Sequence, residues 1–169
     1  MNKTIAPTLR KIFSDILSDM AFIFVAEPDE NSPPPQYTLQ ARIAYKGPRR
    51  GTLQLRCDGR FAAVLAGNLL GVDAADAAAE QQRLDALKEL MNVVCGNLVT
   101  ALYGTEALFE LTLPEVTPLL PGEPPGPFKA DDVYVFVAED HVVELAHRTD
   151  ERGLVIPGSN PEGGVVHTC

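Results

Sequence analysis

Residues 37–57 read YTLQARIAYKGPRRGTLQLRC, and this stretch decides the fold because apolar and polar side chains alternate on both sides of a Gly-Pro turn. The apolar positions are Tyr37, Leu39, Ala41, Ile43 and Tyr45 before the turn and Leu53, Leu55 and Cys57 after it. A period of two is typical of strands with one buried and one solvated face. The stretch therefore predicts a β-hairpin with a basic, exposed tip around Gly47.

The segments on either side of this hairpin predict helices. Residues 8 to about 26 carry apolar side chains at helical spacing, and a run of three prolines at 33–35 excludes any continuation of that helix. After the hairpin, Asp58 is a candidate N-cap for a short helix that ends at Gly71. A longer helix with one apolar face follows over residues 84–102.

The second half of the chain returns to strand patterns. Residues 109–113 alternate as a strand does, and Pro114 limits that strand to an edge or an end. Residues 121–132 are rich in Pro and Gly and predict a loop. Residues 133–147 predict a closing hairpin with its turn near Glu139. Because strands joined by hairpins pair antiparallel, the sequence predicts an α+β domain in which long helices pack on one antiparallel sheet.

Length and charge limit the organisation and the partners. With 169 residues we expect a single domain over residues 1–150, followed by a Gly/Pro-rich tail over residues 151–169. A net charge of −9 argues against nucleic acid and the anionic membrane surface as partners. No apolar run reaches the roughly 20 residues that cross a bilayer. Three widely spaced cysteines fit a reducing cytoplasm, where we expect the protein to act.

The helix over residues 84–104, LDALKELMNVVCGNLVTALYG, carries the candidate chemistry on the side away from its apolar face. At about 100° per residue, that side presents Asp85, Glu89, Asn92 and Gly96, with Val93 between them. A carboxylate can bind a Lys or Arg of another protein. A carboxamide can donate and accept at once, as holding a water in line with a phosphoryl group requires.

The polar side of this helix has other interpretations: a solvated helix face, a metal site, or general acid-base catalysis by Asp85 with Glu89. A metal site is the weaker alternative because one Glu and one Asn lack a His or a second close carboxylate. A purely solvated face would not favour Asn92 and Gly96, since both residue types lower helix propensity. The pattern instead favours a docking surface, with Asp85, Val93 and Gly96 as candidate partner-binding residues. The three dispersed histidines indicate surface or packing roles rather than a catalytic triad.

The segment DALKELMNVVCGN resembles the signature helix of the CheC/CheX/FliY phosphatase family of bacterial chemotaxis, in which a Glu is followed three positions later by an Asn. The hairpin before this helix and FELTLPEVTPLL after it are similar to the family's neighbouring segments, so the resemblance covers roughly residues 8–147. It implies that Glu89 and Asn92 are the catalytic pair. The implied substrate is the aspartyl phosphate of a CheY-like response regulator. The Mg²⁺ in the reaction would be bound by that regulator, so the resemblance implies that this chain needs no cofactor of its own.

CheC-type members carry a second Glu-x-x-Asn on the first helix, whereas here Asp15 and Asp19 are not followed by an Asn three positions on. Because only one Glu-x-x-Asn motif is present, the chain resembles CheX most. That resemblance implies a homodimer, and exposed strand edges also favour a homodimer. Two alternatives remain. One is a non-catalytic binding module of this fold that docks a response regulator or a flagellar-motor component, and the other is a structural dimerisation domain.

Overall fold

The structure, a computed structural model, describes residues 5–73, 77, 79–120 and 132–150. The order of helices and strands along the chain is largely the one that the sequence predicts. The helices are α1 (Ile5–Ala21), α2 (Gly59–Leu70) and α3 (Glu80–Tyr103). The strands are β1 (Val25–Ala26), β2 (Leu39–Lys46), β3 (Gly51–Cys57), β4 (Glu110–Leu111), β5 (Glu115–Pro118), β6 (Asp132–Ala138) and β7 (His141–Thr149).

The seven strands form one antiparallel sheet in the order β1-β6-β7-β3-β2-β4, with β5 also paired to β2. The hairpin predicted from residues 37–57 lies near its middle and pairs Leu39 with Cys57 and Tyr45 with Gly51. Its partner on the other side is β7, in register from Gly51 opposite Thr149. The predicted α+β class, with helices packed on an antiparallel sheet, is therefore confirmed.

Helices α1, α2 and α3 cover one face of this sheet, which we call the inner face. The ring of Phe13 in α1 lies 5.0 Å from the ring of Phe136 in β6. The ring of Tyr103 in α3 lies 6.3 Å from that of Tyr45 in β2. Helices and sheet share a single buried apolar cluster. The other face of the sheet, here the outer face, has no helix on it among the described residues.

Helix α2 begins and ends where the sequence predicts. Asp58 caps its N-terminus, and the Asp58 Oδ1 atom accepts the backbone N–H of Phe61 at 2.7 Å. Gly71 ends it in the left-handed conformation with φ 67°, which costs glycine little. The second carboxylate oxygen of Asp58 lies 3.0 Å from His141 Nδ1, so the same side chain also ties α2 to the start of β7.

The predicted extent of the first helix is wrong at its end. The helix ends at Ala21, and Phe22 has a positive φ of 56°. This turn buries Ile23 and lets Val25 and Ala26 pair with β6, while Phe24 is 68% exposed. The run 20–26 is apolar throughout, so periodicity alone does not separate a buried helix end from a strand.

The strand predicted over residues 109–113 is also wrong in its extent. Only Glu110 and Leu111 pair there, and Leu113 is 87% exposed. Thr112 interrupts the pairing because its side chain accepts the N–H of Ala44 at 3.0 Å while its own N–H reaches the Ala44 carbonyl. A further strand, β5, begins after Pro114, as an edge position allows.

The closing hairpin is confirmed, with Glu139 and Asp140 forming a two-residue turn at φ 52° and 66°. Cys57 and Cys95 are both buried in the core. Cys169 and the tail over residues 151–169 lie outside the described residues. The division of the chain at residue 150 stays a prediction.

Candidate functional site

Helix α3 is the element that positions every candidate site residue. It runs for 24 residues without proline, a length of about 36 Å, and buries one side against the other helices and the sheet. The buried residues are Ala86, Leu87, Leu90, Met91, Val94, Cys95, Leu98 and Val99. The helix ends where the N–H of Gly104 donates to the Thr100 carbonyl at 2.9 Å. Because the buried side of α3 packs in the core, the opposite side of the helix faces solvent.

Glu89 and Asn92 lie on this outward side, one helical turn apart, and both are exposed. Neither side chain makes a hydrogen bond or an ion pair with the part of the chain that the structure describes. The pair therefore presents a carboxylate and a carboxamide whose donors and acceptors are open to an incoming partner.

Other polar side chains near the pair are already engaged. Asp85 accepts a hydrogen bond from Gln81 Nε2 at 2.8 Å. Asn97 donates its side-chain N–H to the carbonyl of Val93 at 2.8 Å, one turn back along the same helix. Of these two exposed carboxamides, Asn92 is the one available for an intermolecular role.

Gly96 and Val93 differ in how their surroundings would allow a partner to contact α3. A Cβ atom placed on Gly96 would meet no heavy atom within 4 Å, so the helix backbone is open to close approach there. Val93, expected as an exposed apolar contact, is instead partly buried and packs against the core. We give the name α3 stripe to the exposed residues Asp85, Glu89 and Asn92 together with the half-buried Gly96.

The sequence reasoning missed one residue that shapes this stripe. Gln81 holds the carboxylate of Asp85 and so fixes the direction in which that side chain points. The sequence spacing could have indicated this contact, because a Gln and an Asp four residues apart on a helix commonly form a hydrogen bond.

The described histidines have structural partners away from the stripe. His147 is fully buried on the inner face, where its Nε2 atom lies 3.1 Å from the Tyr45 hydroxyl. His141 contacts Asp58 at the start of α2. The packing roles indicated by the sequence are confirmed for these two, and His167 lies outside the described residues.

No group of three His, Cys, Asp or Glu side chains in the described ranges could hold a metal ion. None of the described helices is both long and apolar enough to cross a membrane.

The family model described as chemotaxis phosphatase CheX matches residues 39–118, a segment that contains the central hairpin, α2 and the whole of α3. The resemblance seen in the sequence is therefore confirmed, on the CheX side of the family. No curated protein sequence matches the chain.

Solved structures share the fold at low sequence identity. CheX from Desulfovibrio desulfuricans is 18% identical, with a TM-score of 0.65, over 86% of this chain and 99% of its own. A CheX–CheY–BeF₃–Mg²⁺ complex from Borrelia burgdorferi matches with 17% identity and a TM-score of 0.62, over 86% and 97% of the two chains. FliY from Thermotoga maritima matches with 17% identity and a TM-score of 0.55, over 85% and 86%. These likenesses show the fold.

Proposed function

We propose that the protein is a CheX-like phosphatase that hydrolyses the aspartyl phosphate of a CheY-like response regulator in the cytoplasm. One observation carries the proposal: Glu89 and Asn92 are exposed together on a rigid helix, and neither side chain is engaged by the described residues. A helix that needed only solubility would place Lys, Gln or Ala there, because Asn lowers helix propensity. The match to a family of chemotaxis phosphatases supports the same proposal.

In the proposed reaction, α3 enters the partner's active site and each side chain has one task. The Asn92 carboxamide accepts a hydrogen bond from the attacking water and orients it in line with the phosphorus atom. The Glu89 carboxylate pairs with a cationic side chain beside the acyl phosphate and fixes the register of the two proteins. Asp85 and Gly96 belong to the contact surface around them, with Val93 at its margin.

The metal ion in this reaction is proposed to belong to the partner. Phosphoryl transfer is assisted by Mg²⁺, and a CheX of this fold is known in complex with CheY, BeF₃ and Mg²⁺. The exposed Glu89 and Asn92 alone make a poor Mg²⁺ site, because Mg²⁺ favours near-octahedral oxygen ligation that includes carboxylates. This chain then contributes one carboxylate and one carboxamide and needs no cofactor of its own.

The test follows phosphate release from a panel of phosphorylated response regulators with and without the protein. Wild type is expected to accelerate the loss of acyl phosphate from at least one of them. Asn92→Ala should lose this acceleration by about 100-fold or more, the usual cost of removing one positioned hydrogen-bonding group. Asn97→Ala is the matched control, because Asn97 lies exposed on the same helix but bonds to the backbone of Val93.

Glu89 is tested separately through binding. Glu89→Gln keeps the shape of the side chain and removes its charge, so it should raise KM by about tenfold or more while kcat changes less. Acceleration by Asn92→Ala equal to that of wild type would refute the mechanism. Tight binding of a phosphorylated regulator without any acceleration would instead favour the non-catalytic binding module.

We also propose that the protein forms a homodimer, as the resemblance to CheX implies. Among the described residues, β1 and β4 each pair with a single strand, and the unpaired backbone groups along the free edge of such a strand can pair with another chain.

A further inference from the structure

A cavity beside the tip of the central hairpin, which we call the tip cavity, is a feature that the α3 stripe does not account for. It has a volume of about 350 Å³ and is lined by Lys46, Gly47, Arg50, Leu108, Phe109 and Glu110. Cavities of this size hold a small molecule or a few side chains of another protein. The basic hairpin tip that the sequence predicts therefore forms one wall of a candidate binding site.

The walls of the tip cavity are held together by close packing. A Cβ atom on Gly47 would lie 2.6 Å from the carbonyl oxygen of Leu108, so the two chain segments meet backbone to backbone. The ring of Phe109 lies 5.8 Å from the ring of Tyr45 and 5.1 Å from that of Tyr103. Because Tyr45 is almost completely buried, these contacts join the cavity wall to the core. The cavity is therefore pre-formed, which lowers the entropic cost of binding.

The tip cavity is basic, although the chain as a whole carries a net charge of −9. Its charged lining consists of the cations Lys46 and Arg50 and the carboxylate of Glu110. Lys46 Nζ lies 3.5 Å from Glu110 Oε1, whereas the Arg50 side chain makes no hydrogen bond or ion pair with the described part of the chain. Leu108 adds an apolar wall that is 86% exposed. The cavity thus fits a carboxylate that has apolar neighbours.

Helix α3 leads from the α3 stripe to the tip cavity. Tyr103, the last residue of α3, lies seven residues after Gly96 and eleven after Asn92. At 3.6 residues per turn, Gly96 and Asn92 therefore lie within about 20° of Tyr103 around the helix axis. The ring of Tyr103 packs on Phe109, which lines the cavity. Eleven helical residues span about 16 Å, so the cavity lies about 20 Å from Asn92.

A single protein bound over the α3 stripe would also cover the tip cavity. A standard interface buries roughly 800 Å² on each partner, and a patch of that area is about 30 Å across. The covered surface has two signs of charge, because Asp85 and Glu89 are acidic at the stripe while Lys46 and Arg50 are basic at the cavity. Charges of both signs fix the orientation of a bound partner and reject partners whose charges do not match.

We propose that the tip cavity is a second contact for the response regulator and that it selects among regulators. This inference rests on the proposed function, because it takes the occupant of the cavity to be the protein bound over Glu89 and Asn92. The cavity binds an acidic side chain of that protein, about 20–25 Å from the cation that pairs with Glu89. A regulator without an acidic group at this distance binds more weakly, however well its acyl-phosphate site fits the stripe.

The test measures the affinity of the full chain for a panel of response regulators by titration calorimetry. Each regulator is held in its phosphorylated conformation by beryllofluoride and Mg²⁺, so that binding is measured without turnover. Arg50→Glu should raise the dissociation constant of the best-bound regulator by about tenfold, because it reverses a charge in the cavity. It should also weaken the dependence of that constant on salt between about 50 and about 200 mM.

A second variant, Leu108→Asp, places a carboxylate in the cavity at an exposed position and should also raise the dissociation constant by about tenfold. Arg60→Glu is the matched control, because it makes the same change in net charge as Arg50→Glu at an exposed position of α2. Arg60 follows the end of β3 opposite the hairpin tip, and the seven residues of β3 span about 20 Å. This control should bind like wild type.

The outcomes separate this inference from the phosphatase proposal. An unchanged dissociation constant for both cavity variants, or an equal loss of affinity in Arg60→Glu, would overturn the role of the tip cavity. Binding that depends on Arg50 without any acceleration of phosphate loss would support the tip cavity and refute the phosphatase. If wild type binds no regulator of the panel, both proposals fail.

Discussion

Gly96→Ala should stabilise the protein and weaken its function. A Cβ atom at this position meets no other heavy atom within 4 Å, so the substitution introduces no clash in the free chain. Alanine is favoured over glycine inside a helix by about 1 kcal/mol, partly because it restricts the unfolded chain. We therefore expect the free energy of unfolding to rise by about 0.5–1 kcal/mol and the Tm to rise by about 1–4 °C.

The same methyl group should interfere with docking. Gly96 lies seven residues after Glu89, two turns along the same side of α3, where a partner bound over Glu89 and Asn92 would approach the helix backbone. A methyl group inserted into a close contact commonly costs 1–3 kcal/mol. The expected result is a rise of about tenfold in KM for the phosphorylated regulator, which corresponds to about 1.4 kcal/mol, with a smaller change in kcat.

Urea unfolding and steady-state phosphate release measure the two effects on the same preparation. Gly67→Ala in α2 is the matched control, since a Cβ there meets its nearest atom, Cβ of Ala77, at an ordinary 3.6 Å. This variant should gain similar stability and keep its KM. If Gly96→Ala were stabilised with an unchanged KM, Gly96 would not belong to the contact surface. If it were destabilised, α3 would not be open at this position.

Three further predictions concern stability and reactivity. Asp58→Ala should lower the free energy of unfolding by about 1–2 kcal/mol in urea titrations, because it removes the N-cap of α2 and the contact with His141. Gly51→Ala should cost more than Asp58→Ala in the same assay, since its Cβ would overlap the hydroxyl oxygen and ring of the buried Tyr45. Burial raises the pKa of the Cys95 thiol to about 12, so iodoacetamide at pH 8 should leave Cys95 unmodified in the native protein and alkylate it after denaturation, as peptide mass spectrometry would show.

Much of the fold was predictable because its signals are local. Alternation in residues 37–57 identifies the central hairpin, and Asp58 with Gly71 identifies both ends of α2. Helical periodicity identifies the buried side of α3 and therefore its outward side. Each of these patterns repeats over a few residues and needs no knowledge of distant partners.

The errors arose where distant contacts decide the structure. The end of α1 is set by pairing of Val25 and Ala26 with β6, more than 100 residues later in the chain. The short β4 is set by hydrogen bonds between Thr112 and Ala44. The partial burial of Val93 depends on which elements flank α3. Such contacts cannot be inferred from a pattern that repeats over a few residues of sequence.

The buried side of α3 stabilises the helix by much more than the α3 stripe destabilises it. This difference in free energy explains why the fold tolerates the α3 stripe. Asn92 and Gly96 together cost about 1.5 kcal/mol of helix propensity relative to alanine. The eight buried residues of the same helix stabilise it by far more, since burial of a single Leu or Met side chain contributes about 1.5–3 kcal/mol. Residues that disfavour a helix can persist on its exposed side because the core, rather than propensity, holds the helix in place. Their presence there is therefore an argument for binding, since the stability of this chain would be served better by other residues.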